Sequence, residues 1–357
     1  MKLKEAIGHL AGIAPSRSAN PVLTHIWLGG RDGELVGRAS NGEVDLTIRL
    51  ESELDMPEPR LVPVEGFHRF ISGLADPHIE FDAEQHVLAV RSGSARAQFH
   101  TADPADFPAA LDPDKEDARF KTMASQLRAA LAVRYAASSE DYRAIFRGVQ
   151  FEKYETGLRA VASDGFRLAV YDTPDRDGER EQAWVVPRKA LDLMAKLLPD
   201  GDELIEVAFG RGHMHLTWDG VRFVAALMEG QFPEYERVVP ADYPNYYEVV
   251  RSDLIAALKR MTPLVDRQTA RVDLEFDSRA VRITAEGDYG RAQDQVLLEE
   301  SHGEPITAIY NLHYMLEALQ HLETEENDVV TIQLSGAATP SLVKGQTSWA
   351  IVVPLRV

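Results

Sequence analysis

The 357-residue chain contains no cysteine, so disulfides, thiolate metal ligands and cysteine nucleophiles are excluded. Long apolar runs are also missing. Nothing approaches the roughly 18 residues of a membrane-spanning helix, and MKLKEAIGHL sets acids and polar residues where a secretory signal needs an unbroken apolar stretch. A cytoplasmic protein is the expectation. Basic residues are in deficit, 38 Lys and Arg against 57 Asp and Glu for a net charge of −19, whereas proteins that neutralise phosphates carry a basic surface. This excludes a uniformly cationic nucleic-acid binder but not one with its cations gathered on one surface, because local potential steers a polyanion. No Walker loop or GxSxG elbow occurs, and Gly210-Arg211-Gly212 reads as a hairpin turn. His213 and His215 share a face of a predicted strand as a metal-ligand pair, but no third ligand has a telling spacing. Neither a metal, a cofactor nor a catalytic residue is expected.

What is present is repetition. RASNGEVDLTI, VASDGFRLAVYD and RITAEGDYGRA place Ala39, Ala162 and Ala285 two steps of 123 residues apart, close to a third of the chain. Apolar residues at helical spacing recur in register: Phe67, Phe70, Ile71 and Leu74, then Leu191, Met194, Ala195 and Leu198, then Leu312, Met315, Leu316 and Leu319. An earlier helix precedes each, so helices are predicted over 2–13, 63–75, 123–138, 186–198, 251–262 and 310–322. Strands lie between and after them; Val44, Leu46, Ile48 and Leu50 alternate with polar residues, and Asn41-Gly42 and Asp164-Gly165 read as hairpin turns with both central residues at positive φ. The first two units end in related Phe107-Pro108 and Phe232-Pro233. The fold class is therefore α+β, three tandem copies of a two-helix, antiparallel-sheet unit. Proline- and charge-rich PADFPAALDPDKED and PADYPN place the domains at 1–115, 116–242 and 243–357.

The charge is partitioned. The six predicted helices carry eleven Lys or Arg (Lys2, Lys4, Arg69, Arg128, Arg134, Arg188, Lys189, Lys196, Arg251, Lys259 and Arg260) against five acids, a balance of +6 that leaves −25 for the rest. Tandem units tend to curve, and a two-fold closing the arc would put twelve helices inside a ring and the acidic sheets outside. Arg128, Arg134, Arg188, Lys189, Lys196, Lys259 and Arg260 would then face an enclosed DNA duplex with weak phosphate contacts, free to slide. The 29 arginines against 9 lysines fit a GC-rich or heat-adapted source.

SRSANP, YRAIFRGVQF, VASDGFRLAVYD, EGQFPEYERVVP, AEGDYGRAQ, YNLHYMLEAL and the terminal VVPLRV, in this order along essentially the whole chain, resemble the bacterial sliding clamp, the beta subunit of DNA polymerase III. The resemblance implies a homodimeric, head-to-tail ring on double-stranded DNA, the DNA clamp fold with helices lining the pore. It implies a processivity factor without an active site, opened by an ATP-driven clamp loader and shared by the polymerase III alpha subunit, other polymerases and DNA repair proteins. By motif, a partner-peptide groove would use Arg143, Phe146, Ser163, Gly165, Phe166, Arg167, Leu168, Pro240 and Ser341, with Ile351, Val353, Pro354, Leu355 and Arg356 from the tail. Arg17 would touch DNA, and Phe99 and Leu264 would meet at the dimer interface. Pro354 cannot donate a ladder hydrogen bond, so the last residues are expected to leave the sheet and be available to a partner. Two departures stand out. Relatives generally begin with a short strand, whereas here Met1 falls almost at the first helix, so that strand is missing or the start is trimmed, and the resemblance bears least on first-domain stability and the dimer contact. Phe166 stands where many relatives have histidine or tyrosine, which removes a polar tip from the groove. The alternative function is a clamp-like scaffold that binds peptides without closing a ring on DNA, and it predicts a monomer.

Overall fold

A computed structural model of the chain describes residues 1–31, 34–51, 58–75, 80–84, 86–111, 116–140, 143–210 and 212–356. Residues 112–115 of the first expected linker, with the boundary at 115, lie outside these, as do Tyr142, Arg211 and Val357. Helices form where the apolar stripes predict them. In chain order they are α1 (Leu3–Ile13), α2 (Val64–Gly73), α3 (Ala124–Ala132), α4 (Arg188–Met194), α5 (Arg251–Met261) and α6 (Leu312–His321). Each long helix turns one face inward; α1 buries Ala6, Ile7, Leu10 and Ile13, and α6 buries Leu312, Met315, Ala318 and Leu319. Asn311 caps α6, its side chain accepting from the backbone N–H of His313 at 2.9 Å.

Strands in the first half are β1 (His25–Arg31), β2 (Glu34–Ser40), β3 (Val44–Leu50), β4 (Arg60–Pro63), β5 (Glu80–Glu84), β6 (Val87–Ser92), β7 (Ala95–His100), β8 (Glu116–Met123), β9 (Gly148–Thr156), β10 (Leu158–Ser163), β11 (Arg167–Asp172) and β12 (Asp177–Pro187). The remainder are β13 (Leu204–Gly210), β14 (His213–Trp218), β15 (Val221–Ala226), β16 (Asn245–Val250), β17 (Arg271–Phe276), β18 (Ala280–Gly287), β19 (Gly290–His302), β20 (Ile306–Asn311), β21 (Val329–Leu334), β22 (Ser341–Lys344) and β23 (Ser348–Val352). The strand ladders among them are antiparallel. No helix among the described residues is long and apolar enough to cross a membrane.

The chain forms two compact units. One comprises Met1–Ser125 with Lys189–Leu227, the other Gln126–Arg188 with Met228–Val357. Their limits fall inside the middle third because strand pairing welds neighbouring repeats. In the first unit β3 pairs β15, making an eight-stranded sheet in the order β4-β1-β2-β3-β15-β14-β13-β8. In the second β11 pairs β23, within a sheet ordered β12-β9-β10-β11-β23-β22-β21-β16-β19-β18-β17-β20. The first unit also holds a small sheet, β5-β6-β7.

The hairpin turns before β3 and β11 differ from the sequence expectation. Gly42 and Gly165 both sit at φ 90°, but Asn41 and Asp164 are not among the positive-φ residues. Each side chain instead accepts backbone N–H groups ahead of it: Asn41 Oδ1 from Glu43 and Val44 at 2.9 and 2.7 Å, Asp164 Oδ1 from Phe166 and Arg167 at 2.9 and 3.0 Å. The turn is a four-residue loop closed by an Asx side chain, which needs only one left-handed residue.

Candidate partner-peptide cleft and cation set

Where β11 meets β23 the second unit opens a cleft of about 590 Å³. Its floor is apolar because β10, β11 and β23 alternate their side chains, placing Val161, Leu168, Val170 and Ile351 together on one face in a cluster with Phe146, Val185, Phe232 and Tyr235. One wall is the segment from Phe232 through the 3-10 turn Tyr235–Val238, which contributes Phe232, Pro233, Glu234, Tyr235 and Val238 to the lining. Arg143, Ile145 and Phe146 also line the cleft, Phe146 edge-on to Phe232 with ring centroids 6.0 Å apart and the Arg143 guanidinium 5.5 Å from the Phe146 ring centroid. The volume and the mainly apolar lining suit a short peptide with large apolar side chains.

Of the fourteen groove residues read from the sequence, the lining includes Arg143, Phe146, Ser163, Gly165, Arg167, Leu168, Ile351 and Val353. The other six are placed differently. Phe166 stands outside the lining, 55% exposed beside the turn. Ser341 is fully buried with its hydroxyl 2.5 Å from the Tyr310 hydroxyl, and its neighbour Pro340 lines the cleft instead. Pro240 is not in the lining. The tail does leave the sheet after Val352, yet it is not free. Val353 donates its N–H to Phe166 O at 3.0 Å, Pro354 is buried, and Leu355 donates to Ile309 O at 2.7 Å, while Arg356 is exposed.

Two arginines read as peptide guides differ in their work. Arg167 is tied down on every side: its Nε donates to Asp164 Oδ2 at 3.0 Å, Nη1 to Glu317 of α6, and Nη2 to Tyr135 O at 3.0 Å. Its guanidinium also lies 4.5 Å from the Tyr314 ring centroid and 5.4 Å from that of Tyr135. Burial opposes its charge, but Glu317 and Asp164 outweigh this and raise its pKa. Burial also pushes up the Tyr135 phenol, whose ring stacks on His321 at 4.6 Å. Arg167 is thus a joint between the second and third repeats as well as part of the lining.

Under the wall lies a polar network with no counterpart in the sequence reading. Glu152 is fully buried. Its carboxylate accepts from Gln150 Nε2 at 2.6 Å, Arg180 Nη1 at 2.9 Å, Tyr154 OH at 3.0 Å and Tyr235 OH at 3.1 Å. The Tyr235 hydroxyl in turn accepts from Arg159 Nη1 at 3.2 Å, and Arg159 forks onto Asp172 at 2.7 and 3.0 Å. Burial and the neighbouring Glu152 carboxylate push the Tyr235 phenol well up, so it stays a donor.

The first unit repeats the same turn and strand pairing. Ser40 and Ser163 accept from Gly42 N and Gly165 N at 3.2 and 3.1 Å, and Ala226 N–H reaches Glu43 O at 2.8 Å as Val353 N–H reaches Phe166 O. Taking the 123-residue step, Arg38 and Asp45 occupy the positions of Val161 and Leu168. They form a part-buried pair at 3.2 Å; Arg38 also donates to Pro108 O at 3.2 Å and lies 5.3 Å from the Phe107 ring centroid. A guanidinium therefore lies against Phe107, where Phe232 of the second joint packs with Val161 and Leu168.

The cations read as DNA-facing sit on helices, at or just beyond their ends, and on one exposed segment after α1. Arg128 is on α3, Arg134 just beyond it with Nη1 bonded to Leu131 O at 2.7 Å, and Arg188 starts α4 with Nη1 bonded to Ala137 O at 3.0 Å. Lys189 and Lys259 are exposed on helices, Arg17 is exposed after α1, and Lys196 lies beyond the end of α4 rather than within it. Arg260 pairs with Asp294 at 2.7 Å, which removes one unit from the free cationic charge counted in sequence. Phe99 lies on β7, edge-on to Phe67 and Phe70 at 5.3 and 5.8 Å, and Leu264 lies in the 3-10 turn after α5. His213 and His215 are neighbours on β14 with ring centroids 6.1 Å apart, and among the described residues no group of three metal-ligating side chains forms.

Comparison with known proteins agrees along the whole chain. Sequence models of the DNA polymerase III beta subunit match residues 1–112 (N-terminal domain), 122–234 (central domain) and 236–353 (C-terminal domain). The beta sliding clamp of Escherichia coli (strain K12) is 26% identical over 362 residues, covering 99% of this chain and 96% of that protein. That of Vibrio cholerae is 26% identical over 359 residues, covering 99% and 97%. Among solved structures, a DnaN sliding clamp from Pseudomonas aeruginosa bound to griselimycin superposes with a TM-score of 0.92 at 26% identity, over 100% of this chain and 97% of that one. The clamp from Bacillus subtilis, 20% identical, shares the fold with a TM-score of 0.92 over 99% and 97%.

Proposed function

The chain belongs to the DNA polymerase III beta subunit family, and from that premise we propose that it is a processivity clamp, which encircles duplex DNA as a homodimer and tethers polymerases and repair proteins. It is not an enzyme, since the family is a non-catalytic processivity factor. The observation that carries the ring is the repeat itself. In each of the first two repeats the strand after the shared turn pairs with the last strand of a neighbouring repeat, β3 with β15 and β11 with β23. In the third, residues 290–297 of β19 pair with β18, and β16 joins only from Leu298 onward, so that edge is open among the described residues. Among the described residues the last strand of the first repeat, β7, pairs only with β6. An open edge and an open last strand on one chain are complementary to those of a second copy, and joining them head to tail extends the same rule and covers both edges. Phe99 on β7 and Leu264 beside β18 and β19 belong to this contact in our reading.

The Arg167–Leu168–Ile351 cleft is the docking site we assign to partner peptides, with the polymerase III alpha subunit and the clamp loader among the carriers. Apolar side chains would enter over Leu168 and Ile351 while Arg143 and nearby backbone groups orient the chain. The exposed Arg17, Lys189, Lys196 and Lys259 are the cations we assign to the phosphates, and the cytoplasm is its compartment. The test loads the protein on nicked circular DNA with a clamp loader and then linearises the circle. A sliding ring leaves over the free ends and runs in solution near twice 39.7 kDa. Retention on linear DNA, or a monomeric mass, refutes the proposal.

A further inference from the structure

The cleft wall Phe232–Val238 makes its own backbone bonds locally, Tyr235 N to Pro233 O at 2.8 Å and Arg237 N to Glu234 O at 3.2 Å. It is fastened to the sheet beneath through the Tyr235 hydroxyl on Glu152 and through Arg180. Arg180 lies on β12 where the register with β9 shifts, and its Nη1 spans two carboxylates, Glu152 Oε1 at 2.9 Å and Glu236 Oε1 at 3.5 Å. One of these is fully buried and belongs to the sheet; the other is 52% exposed and belongs to the wall. A carboxylate this deep is tolerated only while paired and bonded. With Arg159 and Arg176 on Asp172, three guanidiniums balance three carboxylates.

We propose that Arg180 is a positioning residue of the cleft: without lining it, its guanidinium brackets sheet carboxylate and wall carboxylate and so sets the width at which a peptide is gripped. This rests on the cleft being the peptide site. Because Arg180 is itself 46% exposed on a strand at the edge of its sheet, the bracket is accessible from outside the cleft. Peptide affinity is then coupled to a residue that no peptide touches.

The test titrates the full-length protein against a short fluorescein-labelled peptide ending in Leu-Phe, by fluorescence polarisation, with melting temperatures recorded in parallel. Arg180→Ala is expected to weaken binding about ten-fold, mainly by faster release, and Arg180→Lys to recover most of it, since supporting residues act on geometry. Glu236→Gln opens only the wall side and leaves Glu152 paired, so it should weaken binding about three-fold with no change in melting, whatever Arg180→Ala does to folding. Leu168→Asp is the control for the site and should abolish binding. Wild-type affinity in Glu236→Gln and Arg180→Ala, with Leu168→Asp dead, overturns the positioning role alone. Unchanged affinity in Leu168→Asp overturns the peptide site and this role with it.

Discussion

Arg167→Ala separates a guide for the peptide from a joint between repeats. The substitution removes a charged hydrogen bond to Asp164, whose side chain is 13% exposed, one to Glu317, 41% exposed, one to the Tyr135 carbonyl, and two cation–π contacts. Asp164 is not stranded, because the backbone N–H groups of residues 166 and 167 still point at it. The Glu317 contact is largely solvent-screened and counts for about 0.5 kcal/mol. The Asp164 and carbonyl bonds are worth about 1 to 1.5 kcal/mol each, and the aromatic contacts together about 1 kcal/mol. The loss is about 3.5 to 4.5 kcal/mol before water refills the site, which in a unit of this size lowers the melting temperature by about 7 to 18 °C. Calorimetry of the full chain reads it, with Arg167→Lys as a partner variant that keeps charge but cannot fork, and so falls between. A melting change below about 1 °C together with a large loss of peptide binding would mean that the arginine serves the ligand and not the joint, and the reasoning would be wrong.

The Arg38–Asp45 pair of the first joint is expected to behave as a buried ion pair. Asp45→Leu alone costs about 3 to 5 kcal/mol by stranding Arg38, while Arg38→Val with Asp45→Leu recovers most of that loss; a double variant no more stable to urea than the single refutes it. Asp328 sets a pH dependence. Burial pushes its carboxyl up, but Arg251 and Ser252 outweigh this and hold it down to about 2. A folded pKa below the unfolded one means stability that is present above about pH 4 and lost as pH falls toward 2. Asp328→Asn, tolerated at φ 55°, should therefore cost about 1 to 2 kcal/mol at pH 7 and much less at pH 2. Equal gaps in the melts at both pH values would show that the charge is not what acts.

Periodicity exposed the helices because each has one buried stripe and one solvated face, and the Ala39, Ala162 and Ala285 spacing exposed the repeat because a shared turn keeps its register. Pairing partners between repeats were not legible: nothing local in VDLTIRL says that β15 rather than another strand lies beside it. The cleft's floor was found through Leu168 and Ile351, whereas its wall, apart from the Phe232-Pro233 signal, has no period to read. Ile145, Phe232, Tyr235, Val238 and Pro340 were therefore missed. Glu152 was missed for a different reason. Gln150, Glu152 and Tyr154 alternate with Val149, Phe151 and Lys153, which reads as a strand with a solvated polar face. That face is buried because a segment some eighty residues later lies on it, with Tyr235 bonded to Glu152 across 83 positions.

The two joints show how one duplicated element carries different side chains on the same turn and strand pairing. Turn chemistry, strand pairing and the capping phenylalanine are alike at β3–β15 and β11–β23, so backbone geometry cannot decide which joint is open. The decision rests on two side chains. Arg38 is long enough to thread beneath Phe107, satisfy Asp45 and bond Pro108 O, so the first joint is sealed by a polar plug that needs all its partners. At the second joint Val161 and Leu168 pack instead in an apolar cluster with Phe232, and Leu168 and Phe232 line the cleft beside them. Apolar space of that size open to solvent is unfavourable unless something covers it, and the opposite carboxylate–guanidinium chemistry has moved outward, beneath the wall, where Glu152 and Arg180 hold it. The first joint thus carries its ion pair within, and the second carries its buried carboxylate and guanidinium behind the cleft wall.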